Sequence, residues 1–295
     1  MQIEEKIVTA AKAIRNLQYD AVTHDSLWNA EAERWDDRGR AKMHVVIDGM
    51  PMSRLRVDFH PKTSITNRAE TPLCDEYGWL VYNGHSTGRV TTEDGITGTT
   101  MHPSKRASIC AKLPKSYNIT RRMTGQDFIP GYAQIFGISL IKLLEGHKIP
   151  LLTISVQPEP MNGVRSLTIR IRVALPNVTQ TENIWLDESK SFALVRRERI
   201  LEPIGTTGRH CRDVYETNTL ENIDAGVWFP TASVYSTYRE GIPEMRETFT
   251  ANCIQLNQPL SEEMFSLRLD AGYRVHDKRA NTEFTIEELS DDLLR

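Results

Sequence analysis

The chain has 295 residues, enough for one large β-rich domain or two ordinary ones, with a sizeable buried core. Apolar residues make up 39% and charged residues 25%, which excludes wholesale disorder, and a net charge of -3 gives no electrostatic reason to expect nucleic acid or an anionic membrane as partner. No run approaches the roughly 18 apolar residues of a membrane-spanning helix, so no transmembrane segment is expected.

The opening stretch MQIEEKIVTAAKAIRNL lacks the apolar centre of a secretory signal, which fits either a cytoplasmic protein or one whose signal has been removed. Ile3, Ile7, Ala11, Ile14 and Leu17 recur every three or four residues and predict an amphipathic helix that docks on a sheet. Tyr19 to Trp35 then reads as extended, with a turn at Asp36-Asp37-Arg38-Gly39. MHVVIDG and RLRVDFH predict a hairpin. In the second of these, Leu55, Val57 and Phe59 alternate with Arg54, Arg56 and Asp58, as in a strand with one wet face. WLVYNG and GRVTTED predict another strand pair.

From Gly95 to Gly131 the periodicity fades, and residues 95–131 read as an irregular region or insertion within a single domain spanning 1–295. The run YAQIFGISLIKLLE, Tyr132 to Glu145, predicts the most apolar helix of the chain. Its residues Ile135, Phe136, Ile138, Leu140, Leu143 and Leu144 cover more than half its circumference, so it wants burial on two sides. From Val164 to Val275 there follows a relay of long alternating segments: SLTIRIRV, TENIWLDES, FALVRRERILE, RHCRDVYETNTLE, GVWFPTASVYSTYRE and MRETFTANCIQL. Leu167, Ile169, Ile171 and Val173 make one face of the first segment, and Thr168, Arg170 and Arg172 the other. The pattern predicts a large, curved antiparallel sheet with one apolar face that something must cover. Ser261 to Leu267 reads as one helical turn. Thr285 and Glu288, at capping-box spacing, predict a short terminal helix.

No catalytic set is expected. Gly84-His85-Ser86-Thr87-Gly88 matches GxSxG, in which strand, strained turn and helix expose a nucleophile. A strand precedes it, but RVTTEDGITGTT has no helical stripe, so a hairpin turn is favoured over an esterase using Ser86. No metal is expected either: His210 and Cys211 are adjacent and point to opposite faces of a strand, and no phosphate loop or cofactor motif occurs. Cys74, Cys110, Cys211 and Cys253 are spaced too widely for an obvious disulfide framework and are expected as buried thiols. Arg196-Arg197-Glu198-Arg199, with Arg170 and Arg172, is read as the wet face of the sheet in preference to a basic patch for an anionic headgroup. Trp79, Trp185 and Trp228 are read as core.

Three phrases carry a resemblance: WLDESKSFALVRRE (Trp185 to Glu198), DAGVWFP (Asp224 to Pro230) and LDAGYRVHDKR (Leu269 to Arg279). Their order resembles the LolA-like superfamily of cell-envelope proteins, which includes lipoprotein carriers and outer-membrane lipoprotein-sorting proteins. There a W-L-D-x-x-K set closes a hairpin, a G-x-W-F-P set starts the next long strand, and a G-x-x-V-x-D set ends the sheet. The resemblance implies an α+β, mainly β fold, with the sheet as an open half-barrel and helices covering its concave face. It also implies a non-enzymatic binding or carrier protein of the periplasm or cell envelope, holding a lipid or lipoprotein acyl chain. The residues expected to line the ligand are Ile135, Phe136 and Leu140 on the helix and Leu167, Ile169 and Ile171 on the sheet. A scaffold that fills the same space with its own side chains is the alternative. The oligomeric state is left open.

Overall fold

The computed structural model describes residues 3–49, 54–64, 76–83, 85–97, 100–110, 134–135, 138–144, 152–158, 166–204, 208–224 and 226–294. It is mainly β, as the periodicity predicts. The hydrogen-bonded strand order is β17-β16-β6-β5-β4-β3-β2-β1-β15-β14-β13-β12-β11-β10-β9, a sheet that ends in two edges and does not close into a barrel. By internal contacts the chain forms two compact units. The first comprises Met1–Ile14, Asp25–Asp37 and Gly125–Ala251; the second comprises Arg15–His24, Arg38–Thr124 and Asn252–Arg295.

In the first unit, α1 (Ile3–Lys12) opens the chain. The relay becomes β9 (Leu152–Pro158), β10 (Ser166–Leu175), β11 (Val178–Asp187), β12 (Ala193–Pro203), β13 (Cys211–Asp224), β14 (Val227–Arg239) and β15 (Ile242–Leu256). Each pairs antiparallel with the next. Two of the three turn phrases act as read; the third, expected to end the sheet, contains β16, and β17 follows it as the edge strand. Asp187 ends β11, and its carboxylate accepts from the Ser189 amide at 3.0 Å and hydroxyl at 2.6 Å, closing a 3-10 turn at Glu188–Lys190. Gly226 adopts φ +87°, a conformation that L side chains rarely take, immediately before β14. Lys190 lies over the Trp228 ring at 5.4 Å and ties the two turns together.

In the second unit, β2 (Arg34–Asp48) meets β3 (Arg54–Ser64), then β4 (Glu76–Tyr82), β5 (Thr87–Thr97) and β6 (Thr100–Cys110) follow as an antiparallel meander. β16 (Arg274–Asp277) joins β6 in parallel and pairs antiparallel with β17 (Thr282–Thr285), so one junction departs from the antiparallel rule. Its core gathers Val46, Val81, Ile109, Phe265, Leu267, Leu269, Val275, Ile286 and Leu294. The cover here is the C-terminal segment, a chain without an α-helix.

Several expectations need correction. The helix over Tyr132–Glu145 is instead a minimal hairpin, β7 (Gln134–Ile135) with β8 (Ile138–Ser139), leading into the five-residue α2 (Leu140–Leu144). β-Branched Ile135 and Ile138 pair with each other, and such side chains suit extended chain better than helix interior. β1 (Asn16–Asn29) turns into β2 at Ala30–Glu33, where Glu33 takes φ +47°, and the residues Asp36–Gly39 read as a turn belong to β2. Part of the 95–131 region is regular, since β5 runs to Thr97 and β6 to Cys110; residues 111–131 lie outside the described residues. No terminal helix forms at Thr285, because the Ile286 amide donates to Tyr273 and the Ile286 carbonyl accepts from Gly272. Tertiary pairing overrides the local capping signal. The helical turn at Ser261–Leu267 is found as a 3-10 turn, Glu262–Phe265. Cys110, Cys211 and Cys253 are free thiols; Cys253 is exposed and the other two are partly so, not buried, while Cys74 lies outside the described residues.

Candidate ligand-binding face

Register assigns the residues of the first unit's sheet to faces, because directly opposed residues in an antiparallel pair project to the same side. One row crosses five junctions: Ile169, Ile184, Arg197, Tyr215, Tyr235 and Glu247. The adjacent row reads Ile171, Glu182, Arg199, Asp213, Thr237 and Met245. The same face is therefore hydrocarbon toward β10 and β11 and polar toward β12 to β15.

The hydrocarbon part is one buried cluster: Leu167, Ile169, Ile171, Ile184, Leu186, Phe192, Leu194, Tyr215 and Tyr235 from the sheet, with Ile7 of α1 and Leu140 and Leu143 of α2 above them. Four of the six residues expected to line a ligand thus come together, with Leu140, Ile169 and Ile171 at 0% exposure and Leu167 at 3%. Phe136 lies outside the described residues. Ile135 is placed by its backbone in β7, and its side chain lies outside them too. The two helices meet this face through Ile7, Leu140 and Leu143, so apolar packing seats the cover on the sheet.

The polar part is what periodicity alone misses. Arg197 donates from Nε to Glu182 Oε2 at 3.0 Å, with the two side chains 7% and 1% exposed. Arg199 pairs with Asp213. Burial disfavours the Arg199 charge, but Asp213, Tyr215, Tyr235 and Glu182 outweigh it, holding the guanidinium above its ordinary pKa. The Arg197 guanidinium also lies 5.5 Å from the Tyr215 ring centroid, and the Tyr215 and Tyr235 rings are 4.4 Å apart. Two residues before Tyr235 on this face, Ser233 is 1% exposed, and its hydroxyl has no hydrogen-bond partner among the described residues.

The reading of Arg196 to Arg199 as a single wet face is thus corrected: Arg197 and Arg199 turn to the covered side. A strand of four consecutive charged residues shows charge on both faces. Only the opposition of Arg197 to Ile184 and of Arg199 to Glu182 reveals which pair faces the covered side, where Arg197 is buried and Arg199 half-buried. The outer face keeps Arg170, Arg196 and Arg212, linked through Asn183 and Glu198: Arg170 to Asn183 at 2.9 Å and Arg212 to Glu198 at 2.6 Å. Trp185 is on this outer face, half-buried under Arg196, and Trp228 is half-buried under Lys190; neither is core. The Trp79 side chain lies outside the described residues.

The described residues of the GHSTG sequence lie at the junction of two paired strands, His85 and Ser86 between them and Thr87 and Gly88 in β5, while Gly84 lies outside the described residues. β4 ends at Tyr82, β5 starts at Thr87, and the Asn83 carboxamide accepts from the amides of His85 and Ser86. The Ser86 hydroxyl accepts from Arg279 at 3.2 Å, and a strand follows it rather than a helix. Arg279 in turn grips Asp277 and the Leu293 carbonyl, so Ser86 belongs to a structural tie. Among the described residues no group of His, Cys, Asp and Glu could hold a metal ion. No helix of those residues is long and apolar enough to cross a membrane.

No family model matches the sequence, and no curated protein matches it. Among solved structures, the chain is similar to a domain named for outer membrane lipoprotein sorting, from Vibrio parahaemolyticus. The TM-score is 0.43 with 10% sequence identity, covering 89% of this chain and 94% of that one. The likeness is weak and confined to the fold.

Proposed function

We propose that the chain is a non-enzymatic binding or carrier protein that holds a lipid or lipoprotein acyl chain against the covered face of the first unit. The observation that carries this reading is the meeting of Leu140, Leu167, Ile169 and Ile171 in one cluster under a cover seated by Ile7, Leu140 and Leu143. An acyl chain entering beside or in place of the α2 leucines exchanges one hydrocarbon contact for another. Each methylene it buries contributes about 0.8 kcal/mol, so binding needs no dedicated chemistry. Ile135 and Phe136, which precede α2 in sequence, complete the proposed lining. The polar rows from Glu182 to Glu247 lie next to the hydrocarbon part and offer the ligand's polar end a place. The Ser233 hydroxyl supports that reading, since a buried hydroxyl left without a partner costs about 1–3 kcal/mol. Such a carrier would work in the periplasm or cell envelope.

A second reading, a scaffold whose core fills itself, is favoured by the complete burial of Leu140, Ile169 and Ile171 by the protein's own atoms. Organic extraction of protein purified without detergent, followed by mass spectrometry, separates the two. The carrier reading expects lipid recovered in a fixed ratio to protein; extracts free of lipid, with no uptake of added lipid, leave the scaffold.

A further inference from the structure

Sheet edges expose unpaired N–H and C=O groups, and proteins ordinarily blunt them with charge, proline or brevity. β17 is blunted in this way: it is four residues long, carries Glu283, and that side chain is paired with Arg274 at 2.6 Å. β9 is different. Its seven residues, Leu-Thr-Ile-Ser-Val-Gln-Pro, contain no charge, and proline occurs only at the last position. β9 pairs with β10 on one side and stands at the end of the strand order. Thr153, Ser155, Gln157 and Pro158 are exposed, and Ile154 is 36% exposed although it shares the covered face with Ile171.

We infer that β9 is a pairing edge, and that its occupant is β9 of a second copy of this chain, added antiparallel across a two-fold axis. The sequence of the edge favours self-pairing. A two-fold axis perpendicular to the sheet keeps each side chain on its own face, so the axis must pass through a residue paired with itself. Centring it on Ser155 overlaps all seven residues. Ile154 then opposes Val156 twice and extends the apolar face, Thr153 opposes Gln157, and Ser155 faces Ser155. The exposed flank of Ile154 gains a hydrocarbon neighbour, and every facing pair is uncharged.

The register supplies the test. Like charges directly opposite one another destabilise strand pairing. Ser155→Glu and Ser155→Lys should each weaken association by about two- to fivefold in sedimentation velocity over a micromolar concentration series, and an equimolar mixture of the two should associate again. Ser155 is exposed on the outer face opposite Arg170, so circular dichroism of both variants should match the unaltered protein, with thermal unfolding slightly raised for Ser155→Glu and slightly lowered for Ser155→Lys. A protein that stays monomeric throughout the series overturns the inference. So does association undiminished in either single variant, or a mixture that associates no more tightly than they do.

Discussion

The two units cover their sheets by different physical means. In the second unit the cover is hydrogen-bonded into place. Ser290 donates to the Leu269 carbonyl, Leu293 to Leu267, and the Asp292 carboxylate accepts from the amides of Leu267 and Leu294. Asn83 and Arg279 then hold the Leu294 and Leu293 carbonyls from the sheet side. The first of these bonds tie the segment to itself; lifting it from the sheet would strand the Leu293 and Leu294 carbonyls, each costing about 1–3 kcal/mol if left buried and unpaired. In the first unit the cover is two short helices of ten and five residues, whose core contribution is Ile7, Leu140 and Leu143. Apolar packing has no direction and no fixed partner, so a lipid chain can substitute for it. Under the proposed function, the packed face of the first unit, rather than the pinned one of the second, is where the ligand enters.

If the buried pair of the first unit is as central as its position suggests, the largest effect comes from breaking it. Arg197→Met should cost about 3–5 kcal/mol in chemical denaturation, because it leaves the Glu182 carboxylate buried without its partner. The double variant Glu182→Leu with Arg197→Met should recover most of that loss, since well-packed apolar residues often replace a buried ion pair at little cost. A loss below about 1 kcal/mol for the single variant would show that the charges are not held together out of water.

The second unit should respond more gently, and to acid. Hydrogen bonds from Arg279 hold the Asp277 carboxyl below its ordinary value of 3.8, against an opposing effect of burial. The folded protein then binds that proton less tightly than the unfolded chain, so the contribution to stability is complete above about pH 4 and is lost as pH falls through the folded value. Asp277→Asn should flatten the acid limb of the stability profile, measured as denaturation midpoint against pH, and leave the neutral limb parallel to that of the unaltered protein. An unchanged acid limb would place the acid sensitivity elsewhere.

Much of this architecture is readable in the chain. Strict alternation in SLTIRIRV places Leu167, Ile169 and Ile171 on one face, Gly226 and Gly272 mark turns whose positive φ favours glycine, and Asp187 closes its turn with its carboxylate. What escapes a single sequence depends on partners distant along the chain. Pro103 sits opposite Asp94 in a strand with no apolar period, and the Thr285–Glu288 capping signal yields to Tyr273 and Gly272. Gly39 reads as a turn, yet it lies opposite Ser64 in a long strand pair. Arg197 is the clearest case, because β12 presents charge on both faces and only its neighbours decide which side is covered.

The central claim, that the first unit and not the second receives the hydrocarbon ligand, is tested most directly by photo-crosslinking with an acyl chain carrying a terminal diazirine, followed by peptide mapping. The account predicts adducts on the α2 and β10 peptides, around Leu140–Leu144 and Leu167–Ile171, suppressed by an excess of unlabelled lipid. Adducts confined to the β2–β6 and C-terminal peptides, or spread without competition, would contradict it.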